Sequence, residues 1–432
     1  AGFEYSLLVS PGADISKIKM KYGGDIKNIT QDRHGNLIIA SGIDEISVST
    51  AECYHTDNSS QKFSSSFKIN NNTINFTLPS NYNKQKALVI DPFVSGTSTL
   101  SGTDAGKAKD IDFDYSGNIY TVGGGDGTVQ MLSKYNASGV LEWTFNGSLG
   151  TPCWEFGGSR GGWVVDKINS KIYLGQGLQE AGFRVIRLDN DGLYDNYITN
   201  ADRDYTQNWK MTWTCNGGSP EIYIAGEAST GQEPTSNIQL FRLNPSSNTF
   251  SPIHPTEINT SNTDISDLVI DPVSNQLYSI FSTSILDPSL NNKIYKHLPP
   301  YALENVAWSN STGSNALHVP VNRPYLSGID NSSNTIALSS THLFYWDGKN
   351  LKAFNKSNGL PACSALSVPT NQLLMQGGIV ADECNNVFVG SRNGTIKVYH
   401  FTGTSFDDDA AADITIAGFS SSSVYDLIYD KD

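Results

Sequence analysis

The sequence predicts an all-β protein with an N-terminal β-sandwich-like domain followed by a six- or seven-bladed β-propeller. A phrase of two short strands joined by a tight turn recurs six times along the chain, and amphipathic helix patterns are nearly absent. The charged fraction of 17% is low, and Asn, Ser, Thr and Gly are abundant, as in all-β proteins with many turns.

The clearest copy of the phrase spans Ala108–Gly124. Ile111 and Phe113 alternate with aspartates, which is the period-two pattern of a half-buried strand. Gly117 supplies the positive φ of a tight turn, and a second strand that carries Tyr120 follows. The phrase therefore predicts two adjacent strands.

The copies align on one position of the second strand. This position is held by Tyr120, Tyr173, Tyr223, Tyr278, Ala337 and Phe388, at separations of 53, 50, 55, 59 and 51 residues. A period near fifty residues with four strand-sized pieces in each unit is typical of a propeller blade. We expect the propeller to span residues 96–432, with repeats starting near 108, 160, 210, 264, 325 and 376.

The end of the sequence begins one more unit. Val424–Asp430 matches the first strand of a repeat, and the pattern leaves open a seventh blade beyond residue 432 or an irregular closure of the ring. A lone strand predicted at Phe93–Gly102 suggests a closure in which a strand from before the first repeat completes the last blade.

Residues 1–95 do not follow the repeat. About seven short strands separated by turn signals, including a hairpin in Ile29–Gly42, predict a small β-sandwich. The dipeptide Asp91-Pro92 ends this domain.

Composition excludes several classes of function. A net charge of −14 disfavours a nucleic-acid partner, and no stretch approaches the ~20 apolar residues that span a bilayer. The five cysteines are scattered without a CxxC pair, which argues against zinc and leaves core thiols or one or two disulfides open. No GxSxG motif occurs and the histidines are scattered, so we predict no enzyme and no catalytic residues, although propeller sites can combine residues from several blades.

Aromatic and charged residues between the first blades predict a ligand-binding surface on one face of the propeller. They are Trp154, Glu155, Arg160, Trp163, Trp209 and Trp213. Sugars stack on such rings and form hydrogen bonds with arginine and glutamate side chains. The alternative is that these tryptophans pack between neighbouring blades.

One acidic turn resembles half of a calcium loop. Asp189 and Asp191, together with Asp195, place alternate oxygen ligands around a glycine turn, but the distal bidentate glutamate of an EF-hand is missing. A plain hairpin turn is the alternative. We therefore expect no cofactor. Ca²⁺ bound by this turn is the alternative.

The residues also resemble a known family. Phe3–Tyr22 with the following glycines, the hairpin Asp32–Leu37 and the exit Leu88–Pro92 resemble an all-β domain of large secreted proteins of the Bacteroidota. In that family the domain leads into SBBP-type propeller repeats, which Asp114–Gly123 resembles. The resemblance implies an extracellular or outer cell-surface protein exported by the type 9 secretion system, of the adhesin kind associated with gliding motility.

Together these observations predict a non-catalytic extracellular recognition or adhesion module. Its expected partners are a polysaccharide or a surface protein, together with other domains of a longer chain. The alternatives are a propeller enzyme acting on extracellular glycans, such as a lyase or glycosidase, and a structural spacer or tip domain. Clustered carboxylates or a His, Tyr or Arg group in the central funnel would favour the enzyme.

Overall fold

The structure is a computed structural model, and the chain divides into two units, Gly2–Ser98 and Thr99–Asp432. It describes residues 7–21, 26–31, 37–41, 45–48, 52–56, 58–70, 73–79, 82–91, 108–123, 131–137, 139–146, 162–175, 184–199, 206–216, 218–228, 240–253, 263–271, 274–283, 291–299, 306–314, 334–369, 378–391, 394–408, 413–415, 424 and 426–429.

The described residues of the first unit form ten strands and one short 3₁₀ turn, Ile15–Lys17. The strands are β1 (Leu7–Val9), β2 (Met20–Lys21), β3 (Ile26–Gln31), β4 (Leu37–Ser41), β5 (Glu45–Val48), β6 (Glu52–His55), β7 (Asn58–Ser64), β8 (Ser66–Asn70), β9 (Thr73–Thr77) and β10 (Leu88–Asp91). They form three antiparallel sheets with the orders β1-β10-β6-β7, β2-β9-β8 and β3-β4-β5. One apolar core joins the sheets, with Leu37, Ile74 and Ile90 fully buried in it.

The second unit is a β-propeller whose described residues form six antiparallel blades. Blade 1 consists of β11 (Ala108–Phe113), β12 (Ile119–Gly123), β13 (Met131–Tyr135) and β14 (Leu141–Asn146). Blade 2 consists of β15 (Trp163–Val165), β16 (Ile172–Gly175), β17 (Arg184–Leu188) and β18 (Tyr194–Thr199). Blade 3 consists of β19 (Thr206–Asn216), β20 (Ser219–Ala228), β21 (Leu240–Asn244) and β22 (Thr249–Ile253). Blade 4 consists of β23 (Thr263–Ile270), β24 (Leu277–Thr283), β25 (Lys293–His297) and β26 (Val306–Ser311). Blade 5 consists of β27 (Ile336–Leu338), β28 (His342–Trp346), β29 (Asn350–Asn355) and β30 (Leu366–Ser367). Blade 6 consists of β31 (Ile379–Ala381), β32 (Asn386–Gly390), β33 (Thr395–Phe401) and β34 (Phe406–Asp408), and β35 (Ile414–Thr415) also pairs with β33.

Both faces of blades 2 to 5 are buried because apolar side chains alternate along the strands. In β16, Ile172 and Leu174 pack with blade 1, whereas Tyr173 between them packs with blade 3. The same division recurs between each pair of consecutive blades from 1 to 6. Burial of each large apolar side chain contributes about 2–3 kcal/mol, so stacking of the sheets face to face provides much of the stability.

The turn from the first to the second strand of a blade is built on an aspartate. In blade 1, Asp114 Oδ1 accepts hydrogen bonds from the N–H groups of Ser116 (2.9 Å) and Asn118 (3.1 Å). Asp114 Oδ2 accepts from the Asn118 side chain (2.9 Å) and from the Tyr120 hydroxyl (2.8 Å). Gly117 has the predicted positive φ, 80°. The repeated phrase thus encodes a capped turn as well as two strands.

The structure corrects the prediction for blade 5. Ala337 was assigned to the second strand, but it lies in β27, the innermost strand, where it pairs with Phe344 of β28. Phe344 is the counterpart of Tyr120, which pairs with Asp112 of β11 in the same way. The prediction was wrong because the polar run before Ala337 resembles the turn of the repeat, whereas the actual turn follows β27.

A seventh inner position is also filled. Val424 and Asp426–Tyr429, which we call the closing segment, lie beside blade 6 as β19 lies beside blade 2. The Gly378 N–H donates to the Val424 carbonyl (3.1 Å), and the Gly162 N–H donates to the Asn208 carbonyl in the same manner (2.6 Å). The closing segment also binds β11 through Asp426. It therefore lies between blade 6 and blade 1 and closes the ring.

None of the described residues forms a helix of the length and hydropathy needed to cross a membrane.

Candidate functional site

The inner strands surround a central cavity of about 570 Å³. Its wall includes residues of β11, β19, β23, β27, β31 and the closing segment, together with Lys167 from the turn after β15. Phe113, Trp213, Ile336 and Leu338 are among the many apolar or aromatic residues of this wall. The cavity is thus formed by all seven positions of the ring, as expected where each blade contributes its innermost strand.

The rim of the central cavity is accessible to solvent. Ile428 and Tyr429 of the closing segment are 40% and 42% exposed, and Glu383 is exposed as well. Tyr115 lies against the cavity and contacts the Trp213 ring edge to face, with the ring centroids 5.9 Å apart. A large molecule could therefore reach the cavity from this rim.

A narrower cavity of about 190 Å³ is lined by residues of β11, β15, β19, β23, β27 and the closing segment. Its charged lining residues are Asp110, Asp112, Lys167, Lys210, Asp267 and Asp426. Four carboxyl groups and two ammonium groups thus come together from blades 1 to 4 and the closing segment. We call these six side chains the channel cluster.

Two carboxyl groups of the channel cluster converge on one N–H group. The backbone N–H of Ile111 lies 3.1 Å from Asp110 Oδ1 and 3.0 Å from Asp426 Oδ2. The Asp110 and Asp426 carboxyl groups are therefore direct neighbours. Burial is the main cause that raises the pKa of Asp426 well above its ordinary value, and the negative charge of Asp110 raises it further. The positive charge of Lys210 lowers this pKa but does not outweigh the other two causes.

Asp267 makes the corresponding link between blades 4 and 5. Its Oδ2 atom accepts hydrogen bonds from the N–H groups of Thr335 (2.6 Å) and Ile336 (3.1 Å), and its Oδ1 atom accepts from Leu268 N–H (2.8 Å). Lys210 Nζ lies 3.9 Å from Asp267 Oδ1. Burial raises the pKa of Asp267 although Lys210 and these N–H groups act in the opposite direction.

Blades 1 and 2 are tied by two aspartates of β11. Asp112 Oδ2 accepts from the Val165 N–H (2.8 Å), and Asp112 also forms an ion pair with Lys167. Asp110 Oδ2 accepts from the indole N–H of Trp163 (2.9 Å). All four carboxyl groups of the channel cluster thus accept hydrogen bonds from a neighbouring position of the ring. Their geometry is that of links between blades.

The structure describes three of the six predicted ligand-binding residues. Trp163, Trp209 and Trp213 lie in the innermost strands of blades 2 and 3 and are only 6%, 8% and 9% exposed. Trp163 and Trp213 line the narrower cavity, but none of the three presents an open ring face on the surface. Trp154, Glu155 and Arg160 lie outside the described residues.

The aspartates of the predicted calcium loop have other partners. Asp189 Oδ1 accepts hydrogen bonds from the N–H groups of Asp191 (3.0 Å) and Leu193 (2.8 Å), which is a capped turn. Asp195 forms ion pairs with Lys171 (3.1 Å) and Arg187 (2.7 Å). No three His, Cys, Asp or Glu side chains among the described residues are grouped to hold a metal ion.

The channel cluster was not predicted from the sequence, although the sequence carries a signal for part of it. Asp110, Asp267 and Asp426 each begin a pattern of five residues that reads Asp, Ile or Leu, any residue, an apolar or aromatic residue, Asp. Alignment of the repeats on the first strand would have placed these aspartates at one level of the ring.

The chain resembles several known proteins. Residues 1–93 match a family described as a domain of unknown function, DUF7948, and no curated protein matches the sequence. The Dos1 propeller is 12% identical, with 93% of this chain and 87% of that chain covered and a TM-score of 0.48.

Two bacterial proteins of known structure are also similar to this chain. The GH74 enzyme of Niastella koreensis is 14% identical, with 94% of this chain and 54% of that chain covered and a TM-score of 0.44. PorZ, an essential surface component of the type-IX secretion system of Porphyromonas gingivalis, is 10% identical, with 89% and 56% covered and a TM-score of 0.47. At such identities the likeness concerns the fold alone.

Proposed function

We propose that this chain is a non-catalytic recognition module that binds a protein partner at the rim of the central cavity. The observation that carries the proposal is the cavity of about 570 Å³ with a largely apolar and aromatic wall and an exposed rim. An accessible concave apolar pocket with a few polar groups is the usual form of a binding site. An apolar side chain of a partner would insert there, and Glu383 and Lys167 would provide polar contacts.

The carboxyl groups beneath the cavity favour binding over catalysis. A general acid or base needs an oxygen that can reach the reacting group at hydrogen-bond distance. In the channel cluster, Asp112, Asp267 and Asp426 each use Oδ2 to hold a backbone N–H group of the next ring position. Moving any of these oxygens toward a substrate would break a link between blades.

The aromatic residues favour a protein ligand over a polysaccharide. A sugar ring stacks on an open aromatic face, and Trp163, Trp209 and Trp213 are at least nine-tenths buried. The apolar wall matches the aliphatic and aromatic side chains that anchor protein interfaces.

An extracellular setting and an adhesive role belong to the same proposal. They are supported by the resemblance of Phe3–Tyr22 and Leu88–Pro92 to domains of secreted Bacteroidota proteins. The same resemblance supports export by the type 9 secretion system and attachment to further domains of a longer chain.

One observation favours a second candidate, an enzyme that acts on extracellular glycans. The Asp110 and Asp426 carboxyl groups are direct neighbours at Ile111 N–H, and burial and the nearby Asp110 raise the pKa of Asp426, which are features of general acid catalysts. This pair would then have to act in the narrower cavity, where both side chains are engaged by Ile111.

Selection from a random peptide library displayed on phage tests the proposal on the whole chain. Peptides with apolar anchors are expected to bind, and Ile428→Glu is expected to weaken binding about tenfold or more because it places a charge at the apolar rim. Val140→Glu is the matched control, since Val140 is exposed (57%) and lies outside the cavity lining.

The outcomes separate the candidates. Equal loss in both variants, or none in either, would overturn the proposed site. A parallel assay with neutral and acidic polysaccharides measures binding and the release of sugar fragments. Fragments that disappear in Asp110→Asn would establish the enzyme, and saturable binding without fragments would establish a polysaccharide ligand.

A further inference from the structure

We propose that the ring is closed by a single proton shared between Asp110 and Asp426, so that the junction of the closing segment with blade 1 loosens as the pH rises. The junction consists of residues that are adjacent in the ring but lie at opposite ends of the propeller sequence. The proposal concerns this junction and does not depend on the function of the cavity.

The geometry of the two carboxyl groups favours a shared proton. One N–H group, that of Ile111, lies within hydrogen-bond distance of an oxygen from each carboxyl group. Two ionised carboxylates in this position would repel each other, whereas a carboxyl group and a carboxylate form a strong hydrogen bond. A proton on one of the two carboxyl groups removes this repulsion and lets that group donate to the other, because an ionised carboxylate only accepts hydrogen bonds.

The surrounding charges do not replace that proton. The charged groups that line the narrower cavity are Lys210 from β19, Asp267 from β23, Asp112 from β11 and Lys167 from the turn after β15. Lys167 is paired with Asp112, and Lys210 faces Asp267 at 3.9 Å. The remaining two carboxyl groups, Asp110 and Asp426, therefore have less than one full positive charge to share.

The direction of the pH effect follows from linkage. The closed junction holds the proton more tightly than an open junction, in which Asp426 returns to an ordinary aspartate in water. Closure is therefore strongest below about pH 4, and it weakens with increasing pH until the pKa of the closed pair is passed. Within that window the opening equilibrium changes by up to about tenfold per pH unit.

Hydrogen exchange of the intact chain between pH 5 and pH 9 tests this inference. The protection of Ile111 N–H, corrected for the intrinsic exchange rate, is compared with that of Val165 N–H. Val165 donates to Asp112, an aspartate of the same strand that is paired with a lysine. We expect the Ile111 to Val165 ratio to fall with increasing pH, by up to about tenfold per pH unit.

Variants isolate the shared proton. Asp426→Asn keeps a carbonyl oxygen for Ile111 N–H and gives Asp110 a permanent N–H donor, so the ratio should become independent of pH. Asp110→Asn should do the same if Asp426→Asn fails to fold. Asp189→Asn, the same change in a surface turn, should retain the wild-type trend. A constant ratio in the wild type, or an unchanged trend in Asp426→Asn or Asp110→Asn, would overturn the inference.

Discussion

Asp426 Oδ2 accepts a hydrogen bond from Ile111 N–H across 315 residues of sequence. The equivalent bond between consecutive blades joins Asp267 to Ile336. The propeller therefore closes with the same side-chain link that it uses between blades 4 and 5. This side-chain hydrogen bond joins β11 to the closing segment. No strand in the described part of the chain pairs with the closing segment.

Two glycines test how closely neighbouring inner positions of the ring must pack: Gly378 lies against the closing segment, and Gly162 lies against β19. A Cβ atom at Gly378 would lie 2.6 Å from Leu427 N, and one at Gly162 would lie 2.7 Å from Lys210 N. We expect Gly378→Ala and Gly162→Ala each to lower the free energy of unfolding by about 1–3 kcal/mol, as measured by urea denaturation.

The two variants should differ in hydrogen exchange. Gly378→Ala pushes the closing segment away from blade 6 and should lower the protection of Ile111 N–H at constant pH. Gly162→Ala acts on blades 2 and 3 and should leave Ile111 unaffected. Equal effects on Ile111 would show that the closing segment has no special role in closure.

The aspartate of the blade 1 turn is expected to matter more than a similar aspartate at the surface. Asp114→Ala removes the hydrogen bonds from Ser116, Asn118 and Tyr120 and leaves the buried Tyr120 hydroxyl without this acceptor. We expect it to lower the free energy of unfolding by about 3 kcal/mol. Asp189→Ala removes two bonds at a surface turn and should cost about 1 kcal/mol. Equilibrium urea unfolding measures the loss of unfolding free energy in both variants. Equal losses would contradict the expectation that the buried turn aspartate contributes more than the exposed one.

The same aspartate predicts sensitivity to acid. Burial acts to raise the pKa of Asp114, but hydrogen bonds from Asn118, Ser170 and Tyr120 outweigh burial and lower the pKa below 3.8. Its contribution to stability is therefore present above about pH 4 and is lost as the pH falls through the lowered pKa. Asp114→Asn should reduce the decrease in unfolding free energy between pH 4 and pH 2, and Asp189→Asn serves as the surface control.

Comparison of sequence and structure shows which features repetition encodes. Tyr120, Tyr173, Tyr223 and Tyr278 were identified because blades 1 to 4 each carry a buried tyrosine at the same place in the second strand. Ala337 was misassigned because a polar run resembled the turn. The Asp110–Asp426 pair was missed because it depends on contact between residues far apart in the sequence, which local periodicity does not report.

The limits of the site prediction have a related cause. An aromatic residue between blades can face a ligand or fill the space between two sheets, and sequence pattern describes both equally. Trp163 and Trp213 pack against neighbouring blades because the first strands of a propeller are covered on both faces. Trp213 also lines the central cavity, whereas the exposed rim includes Ile428 and Tyr429 of the closing segment.

A buried histidine in blade 4 gives a further prediction of pH dependence. His297 is 1% exposed, its Nε2 atom lies 2.8 Å from Ser279 Oγ, and burial lowers its pKa from 6.5 to about 3. The unfolded chain therefore binds a proton below about pH 6.5 that the folded chain does not bind. Stability should decrease by about 1.4 kcal/mol per pH unit from this residue alone as the pH falls from 6.5 toward 3.

Replacement of this histidine separates its effect from that of the carboxyl groups. His297→Gln keeps a hydrogen-bonding side chain near Ser279 but cannot take up a proton in the unfolded state. Its unfolding free energy, measured with urea from pH 7 to pH 5, should change less steeply than that of the wild type. His400→Gln, at an exposed position of β33, should retain the wild-type slope. If His297→Gln also retains that slope, the folded protein must accommodate a charged His297, and the tight packing of blade 4 around this residue would need to open below neutral pH.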